Sequence, residues 1–216
     1  MRKEKQIRIN HKKAENKARR IISRALRAFV RSHPDPNPQI IVNAYNRLYS
    51  SLGLANAKMY WVMYASEFMQ EEEMPPIVSL LLAQFISEEV NSVAYSVASN
   101  ATKDFEESEL SSTDYLKTSQ FNSKVNTITR TEVTRALNKS ALLAMEASGL
   151  PWKKAWVAIK DERTRNAHYE MNPKQFVPLE ALFKVGNDLM DYPTDTSFGA
   201  SIHNVINCRC GLTFKL

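Results

Sequence analysis

The sequence predicts a mainly α fold, in which an N-terminal region of long helices is followed by a small, loop-rich α+β domain. Three observations support this prediction. Apolar residues recur at helical spacing through most of the first 147 positions. The 216 residues include only five glycines, and 44% of them are hydrophobic, which is typical of a folded helical protein. After Pro151, proline, asparagine, aspartate and glycine become frequent and the apolar segments become short.

Residues 1–31 are predicted to form a basic helical arm. Apolar residues repeat along one narrow stripe of this segment, at Ile21, Ile22, Ala25, Leu26, Phe29 and Val30. The segment holds twelve lysines and arginines against two glutamates, a net charge of +10, although the whole chain carries only +6. Such an arm suits a polyanion such as nucleic acid. The candidate polyanion-binding residues are Lys12, Lys13, Lys17, Arg19, Arg20, Arg24 and Arg27. The alternative is a solvated helix whose charges only aid solubility.

The next segments predict a linker and a second helical region. Three prolines in 32–39 indicate a linker, because proline lacks a backbone donor and disfavours helix in the residue before it. Residues 40–117 predict one helix ending near Gly53, a second over 55–69 and a long third over 77–105. The segment 59–69 is rich in methionine and aromatic residues, which indicates core or an oligomer contact.

Neither a membrane contact nor secretion is expected. No stretch reaches the roughly 18 apolar residues needed to cross a bilayer. The charged N-terminus has no apolar segment behind it, as a secretory signal would require. The chain has two cysteines separated by one residue, which do not form a disulfide framework, so a reducing compartment is the simpler interpretation.

Residues 118–216 are predicted to form the C-terminal domain, and they carry the chemically specific residues. A helix is expected up to Ala147, with Gly149 near its end, and a strand over 152–159. Asp161, Arg163 and Arg165 follow this strand directly, and His168 comes next. A loop-rich stretch then leads to a second group of chemically versatile residues, His203, Cys208 and Cys210.

These residues support two interpretations. Two thiolates and an imidazole can bind tetrahedral Zn²⁺, with Asp161 or His203 as the fourth ligand, and a structural zinc would stabilise a loop-rich domain. Alternatively, the cysteines are buried as small apolar groups, and Asp161 pairs with an arginine to hold a turn. No phosphate-binding loop or other catalytic motif occurs, so an enzyme is not expected. On the preceding helix, Arg130 and Glu132 are either solvated or anchor the C-terminal domain through ion pairs.

Five stretches in this order resemble the phage Mu protein F-like family of minor head, or head morphogenesis, proteins of tailed bacteriophages. They are TRTEVTRALN, Gly149, KAWVAIKDERTRNAH, FKVGNDLMDYPTD and NVINCRC, all within 118–216. The resemblance marks as signature residues Arg130, Glu132, Trp156, Asp161, Arg163, Arg165, His168, Asn207, Cys208, Arg209 and Cys210. The segment after His168 lacks a glycine often found in the family, and some members have cysteines in place of Arg165 and His168.

The resemblance implies a structural virion protein rather than an enzyme. It would act in the capsid interior or at the portal vertex, in multiple copies per particle, after assembly in the host cytoplasm. The implied partners are the portal protein and the major capsid or scaffolding protein, with non-specific DNA contact through 1–31. Two other classes remain open. One is a basic nucleic-acid-binding protein with a zinc-stabilised C-terminal domain, and the other is a module related to toxins or effectors, which would need an extra catalytic domain.

Overall fold

A computed structural model describes residues 2–71, 73–171, 173 and 175–216, with side chains from residue 11 onward. The fold is mainly α with a small β region, which confirms the predicted fold class. The helices of the N-terminal and central parts are α1 (Arg2–Arg31), α2 (Gln39–Tyr60), α3 (Ser66–Met69), α4 (Pro76–Phe85), α5 (Asn91–Glu107), α6 (Ser112–Tyr115) and α7 (Ser119–Glu146). Two π-helical turns, Trp61–Ala65 and Ile86–Val90, join α2 to α3 and α4 to α5.

Helix α2 does not end near Gly53 as predicted but continues to Tyr60. The glycine is present because α4 approaches α2 at this point. A Cβ atom at position 53 would lie 3.0 Å from Leu82 Cδ2, so the space beside the helix is already filled. The long helix predicted over 77–105 is found as the continuous segment Pro76–Glu107.

Helix α1 does not extend from the body as an arm. Its apolar stripe is buried against α2, α5 and α7, with Ala18, Ile22 and Leu26 all within the helical core. The proline-containing segment is a tight turn between α1 and α2, and His33 within it packs on the rings of Phe29 and Phe105. The apolar stripe was visible in the sequence, and the burial of such a stripe stabilises a docked helix.

Helix α7 is the central element of the molecule and contacts two hydrophobic clusters. Val133 and Ala136 belong to the cluster formed with α1, α2 and α5. Ala141 and Leu142 belong to a second cluster formed with the C-terminal elements. Thr118 caps the helix by accepting a hydrogen bond from the backbone N–H of Phe121 at 3.1 Å. The helix therefore connects the helical region to the β region.

The C-terminal part contains β1 (Lys153–Val157), α8 (Asn166–Tyr169), β2 (Val177–Pro178), β3 (Phe183–Val185), β4 (Asp188–Met190), α9 (Ile202–Val205) and β5 (Gly211–Lys215). β1 lies between β2 and β5 in an antiparallel sheet, where Trp156 is opposite Leu212. β3 and β4 form a hairpin closed at Gly186, whose positive φ of 62° suits a tight turn.

The methionine- and aromatic-rich segment 59–69 is mainly core. Tyr60 and Tyr64 stack on each other and pack edge-on against Phe214 of β5. Tyr60 also donates a hydrogen bond to the carbonyl of Leu212 at 3.1 Å. The segment thereby fixes the sheet against the end of α2, while Val62 and Phe68 remain exposed.

Candidate functional site

The floor of the candidate site is one face of α7. Thr131, Thr134 and Asn138 recur at spacings of three and four residues, so they point the same way. Thr131 Oγ1 accepts a hydrogen bond from the backbone N–H of Asn207 at 3.0 Å. Thr134 Oγ1 donates to the Cys208 carbonyl at 2.6 Å. Asn138 Nδ2 donates to the Cys210 carbonyl at 3.0 Å. The helix thus binds the backbone of the segment Asn207–Cys210, the cysteine segment, at Asn207, Cys208 and Cys210.

The turn after β1 binds the same segment from the other side. Both guanidinium Nη atoms of Arg209 donate to the Asp161 carboxylate, each at 2.8 Å. Asp161 also accepts a bond from the backbone N–H of Arg163, and Thr164 donates to it at 3.1 Å. The bidentate Arg209 bond, together with these donors, lowers the pKa of Asp161 well below its usual value despite partial desolvation. Asp161 is therefore an ion-pair partner in this structure, and both of its oxygens are engaged.

The two arginines that follow Asp161 have different environments. Arg165 is half-buried and its Nη2 donates to the Ile206 carbonyl at 2.5 Å. The Arg163 side chain is 64% exposed, and its guanidinium is 4.0 Å from Asp161. Arg165 therefore joins the turn to the cysteine segment, whereas Arg163 contributes mainly its backbone N–H.

His168 lies on the short helix α8 and completes the contact between the segment 161–168, which follows β1, and the cysteine segment Asn207–Cys210. Its Nδ1 lies 3.3 Å from Cys210 Sγ and 3.6 Å from Cys208 Sγ. All three side chains are buried, with 2–3% of their surface exposed. Trp156 of β1 packs edge-on against the imidazole, with ring centroids 5.4 Å apart. His203, the other predicted ligand, is exposed on α9 and lies outside this cluster.

The two thiols differ in acidity. Burial raises the pKa of Cys208 well above its ordinary value. The pKa of Cys210 is lowered, first by the interaction with the Cys208 thiol and then, against the effect of burial, by His168. Cys210 is thus the more acidic thiol of the pair, and it is the one nearer to the imidazole.

Helix α1 reaches the same site, which the sequence did not indicate. His11 Nε2 lies 3.0 Å from Thr134 Oγ1. Because the hydroxyl hydrogen of Thr134 is donated to Cys208, His11 must be the donor in this contact. Glu15 lies one turn further along α1. Burial raises its pKa, but the His11 bond and the charges of His11, Arg130 and Arg209 outweigh this effect and lower it.

Glu132 is buried on another face of α7, and its described partners are Tyr49 and Arg135. It accepts a hydrogen bond from the Tyr49 hydroxyl of α2 at 2.5 Å and lies 3.8 Å from Arg135. Arg135 Nε in turn donates to the Thr194 carbonyl at 3.2 Å. Arg130 is half-buried near Glu15. The network Tyr49–Glu132–Arg135–Thr194 thus links α2 to the C-terminal loops through α7.

Comparison with known protein families identifies the family to which this chain belongs. The family described as "Phage Mu protein F like protein" matches residues 91–213, more than half of the chain. The chain belongs to the phage Mu protein F-like family. It is therefore a phage head-related, virion-associated protein. No curated protein and no solved structure matches it.

The family segment begins at α5, earlier than the resemblance over 118–216 indicated, and it ends within β5. It therefore contains the face of α7, the Asp161 turn, His168 and both cysteines. Helices α1 to α4 lie outside it, so His11 reaches the candidate site from a part of the chain that the family match does not cover.

The basic residues of α1 fall into two groups. Six of the seven predicted polyanion contacts are exposed, namely Lys12, Lys13, Lys17, Arg19, Arg20 and Arg24. Arg27 is half-buried and structural, because it donates to the Leu116 carbonyl at 3.3 Å and stacks over the Phe121 ring at 5.0 Å. Beside the exposed group, α1 and α2 enclose a groove of about 640 Å³ with an apolar floor; its basic edges are Lys17, Arg20, Arg24 and Arg47.

The segment Pro76–Glu107 is long and apolar in composition. One 18-residue window reaches a mean hydropathy of 1.3, and only 33% of that window is buried. By length and composition it is the one helix in the described part of the chain that meets the criterion for a membrane span, a criterion that core helices of soluble proteins also meet. Val78, Leu82 and Phe85 on its inner face are buried, whereas Ile77, Leu80 and Tyr95 are exposed.

Proposed function

We propose that this protein is a minor capsid, or head morphogenesis, protein that acts at the portal vertex or in the capsid interior during head assembly and DNA packaging. Family membership supports the assignment to the phage head. The proposed contact with packaged DNA is based on the exposed basic face of α1. The proposed role is structural and includes no catalytic step.

The basic face has the geometry of a phosphate-binding surface. Lys13, Lys17, Arg20 and Arg24 follow one another at spacings of three or four residues, so they form one row along α1. The row extends over about 16 Å at the helical rise of 1.5 Å per residue. Among the residues whose side chains are described, none of these four forms an ion pair with a carboxylate. Their charges are therefore available to an external polyanion.

Binding through such a row is independent of base sequence. Lysine and arginine release counterions when they contact phosphates, so the affinity falls steeply with salt. No aromatic residue precedes Phe29 in α1, so base stacking on this surface is not expected. Because α1 is docked through its apolar stripe, the row is presented on a rigid surface rather than on a flexible arm.

The exposed apolar side of Pro76–Glu107 is the proposed docking surface for portal or capsid subunits. Ile77 is 46% exposed, Leu80 66% and Tyr95 51%. Ile77 and Leu80 are three residues apart on α4 and therefore lie on the same side of this helix, whereas the exposed polar residues Gln84, Ser87 and Glu88 separate them from Tyr95. We place the centre of the proposed contact at the exposed pair on α4, because exposed apolar patches are typical of protein–protein contacts. This surface lies on α4 and α5, and the basic row lies on α1. The chain can thus contact protein and DNA through different helices.

Quantitative mass spectrometry of purified, DNA-filled particles tests the assignment to the head. We expect this chain at a low, fixed ratio to portal subunits. Its absence from filled particles and from packaging intermediates would contradict the proposal. DNA binding by a chain that is absent from particles would support the alternative, a nucleic-acid-binding protein outside the virion.

A charge-neutralised variant tests the DNA contact. The six exposed residues Lys12, Lys13, Lys17, Arg19, Arg20 and Arg24 are replaced by Gln. In a matched control, six exposed lysines elsewhere are replaced by Gln, at Lys58, Lys103, Lys117, Lys153, Lys160 and Lys184. We expect the α1 variant to bind duplex DNA at least about tenfold more weakly at low salt, with a shallower salt dependence. Equal losses in both variants would show that only net charge matters.

A further inference from the structure

The side chains of His168, Cys208 and Cys210 form a compact, buried group of three ligand atoms. Nδ1 and the two Sγ atoms all lie within 4.8 Å of one another. The two N···S separations are 3.3 Å and 3.6 Å. Zinc bonds of about 2.3 Å to sulfur and about 2.0–2.1 Å to nitrogen, at tetrahedral angles, require N···S separations of about 3.6 Å. The two N···S separations are therefore close to those expected for one nitrogen and two sulfur ligands of a single zinc ion.

The space for a fourth ligand adjoins this group. A cavity of about 20 Å³ is lined by all three side chains and by Arg165 and Arg209. A single water molecule needs about 10–15 Å³ measured in this way. Asp161 lies outside this group of ligand atoms and is paired with Arg209 instead. The geometry therefore points to three protein ligands and one water.

The ligands are held in place before any ion binds. The backbone of both cysteines is bonded to α7 through Thr134 and Asn138. Trp156 packs against the imidazole. The imidazole and the backbone of both cysteines are thus oriented by their surroundings, as the ligands of metal sites commonly are.

We propose that His168, Cys208 and Cys210 bind one Zn²⁺ ion, with water as the fourth ligand. Two thiolates neutralise the charge of the ion, and any thiol proton present beforehand passes to solvent on binding. The neighbouring guanidinium groups of Arg165 and Arg209 favour the thiolate form. The ion joins His168 of α8 to the cysteine segment, which begins its ligand pair 40 residues further along the chain at Cys208. Its proposed role is to stabilise the contact between segments 161–168 and 207–210.

Cobalt substitution of the full-length chain tests the site directly. The protein is treated with a chelator under a phosphine reductant, the chelator is removed, and Co²⁺ is titrated. We expect one Co²⁺ per chain, with the ligand-field bands of tetrahedral cobalt and a thiolate-to-cobalt charge-transfer band. Added Zn²⁺ should displace the cobalt and abolish these bands, and it should raise the Tm of the stripped protein. Failure of the wild-type chain to give these bands would overturn the proposal without the need for any variant.

Variants identify the ligands. Cys208→Ser, Cys210→Ser and His168→Gln should each weaken Co²⁺ binding by at least about a hundredfold or remove the charge-transfer band. His203→Gln is the matched control, because this exposed histidine lies near the cysteines in sequence but outside the cluster. Unchanged binding by all three ligand variants, or an equal loss with His203→Gln, would overturn the assignment. These outcomes are independent of whether the chain occurs in phage particles.

Discussion

Asp161 and Arg209 form a bidentate ion pair that joins the turn after β1 to the cysteine segment. Because Arg209 lowers the pKa of Asp161, the ionised carboxylate favours the folded state. This contribution is complete above the unfolded pKa of about 3.9 and declines progressively as the pH falls from there toward the lower pKa of the folded state. We expect Asp161→Asn to lower the Tm at pH 7 and to lower it less at pH 3, measured by thermal unfolding at both pH values.

The neighbouring Glu162→Gln is the control for this prediction, since Glu162 is exposed and bound to neither motif in the described part of the chain. It should leave the Tm nearly unchanged at both pH values. If Asp161→Asn destabilises the protein equally at pH 3 and pH 7, the contribution comes from the turn geometry rather than from the charge.

Thr134 is a fully buried hydroxyl that connects three segments. It donates to the Cys208 carbonyl and receives a hydrogen bond from His11. Thr134→Val keeps the shape but leaves both of these groups without a partner, so we expect a loss of about 1–3 kcal/mol in the free energy of unfolding. Urea denaturation measures this loss. Thr134→Ser retains the hydroxyl and should keep most of the stability, so an equal loss in both variants would assign the effect to the methyl group.

The crossing of α2 and α4 depends on Gly53. A larger side chain at this position meets Leu82, which is itself buried. We expect Gly53→Val to reduce the free energy of unfolding by about 1–3 kcal/mol, because overpacking forces the two helices apart. The double variant Gly53→Val/Leu82→Ala should lose less than the sum of the two single variants. Additive losses would show that the two side chains do not compete for the same space.

Helix α1 combines two functions on opposite faces. Its inner face carries the apolar stripe that packs on α2 and α7, and its outer face carries the exposed basic row. Arg27 lies between these faces, and its contacts with Leu116 and Phe121 place it with the structural residues. Charge neutralisation of the outer face is therefore expected to leave the fold intact, whereas changes to the inner face are not.

Deletion of residues 2–31 tests whether the stability of the whole fold depends on α1. It removes Ile22, Leu26, Phe29 and Val30, each at most 1% exposed, from the helical core. Their burial is worth about 6–12 kcal/mol at about 1.5–3 kcal/mol each. This is comparable to the total stability of a typical domain, about 5–15 kcal/mol. We expect the shortened chain to lose cooperative thermal unfolding measured by circular dichroism, in contrast to the charge-neutralised variant. Cooperative unfolding at the wild-type Tm would show instead that α1 is an independent arm.

The molecule is organised around α7. One face of this helix binds the cysteine segment, and another binds α2 through Glu132 and Tyr49. The family segment starts at α5, yet α1 supplies His11 to the same site. The helices outside the family segment are therefore part of the same folded unit, and the site depends on both parts of the chain.

Much of the fold was predictable because its causes are local. Hydrophobic periodicity predicted the long helices, the proline-rich segment predicted a break, and the position of Gly149 predicted the end of α7. The continuation of α2 through Gly53 was not predictable, since glycine usually signals an interruption and only the approach of Leu82 explains it. The apolar stripe of α1 was also visible, but its partner surface combines residues of α2, α5 and α7, which only the tertiary structure brings together.

The sequence by itself determined the helical class, the basic character of α1 and the order of motifs that marks the family, because each depends on residue type and spacing along the chain. Only the tertiary structure decided which of these residues meet. His203 is close to the cysteines in sequence but exposed on α9, whereas His168 is 40 residues from Cys208 and touches it. The path of the chain between β1 and β5 sets these distances, and the packing that fixes this path arises from contacts between segments remote in sequence.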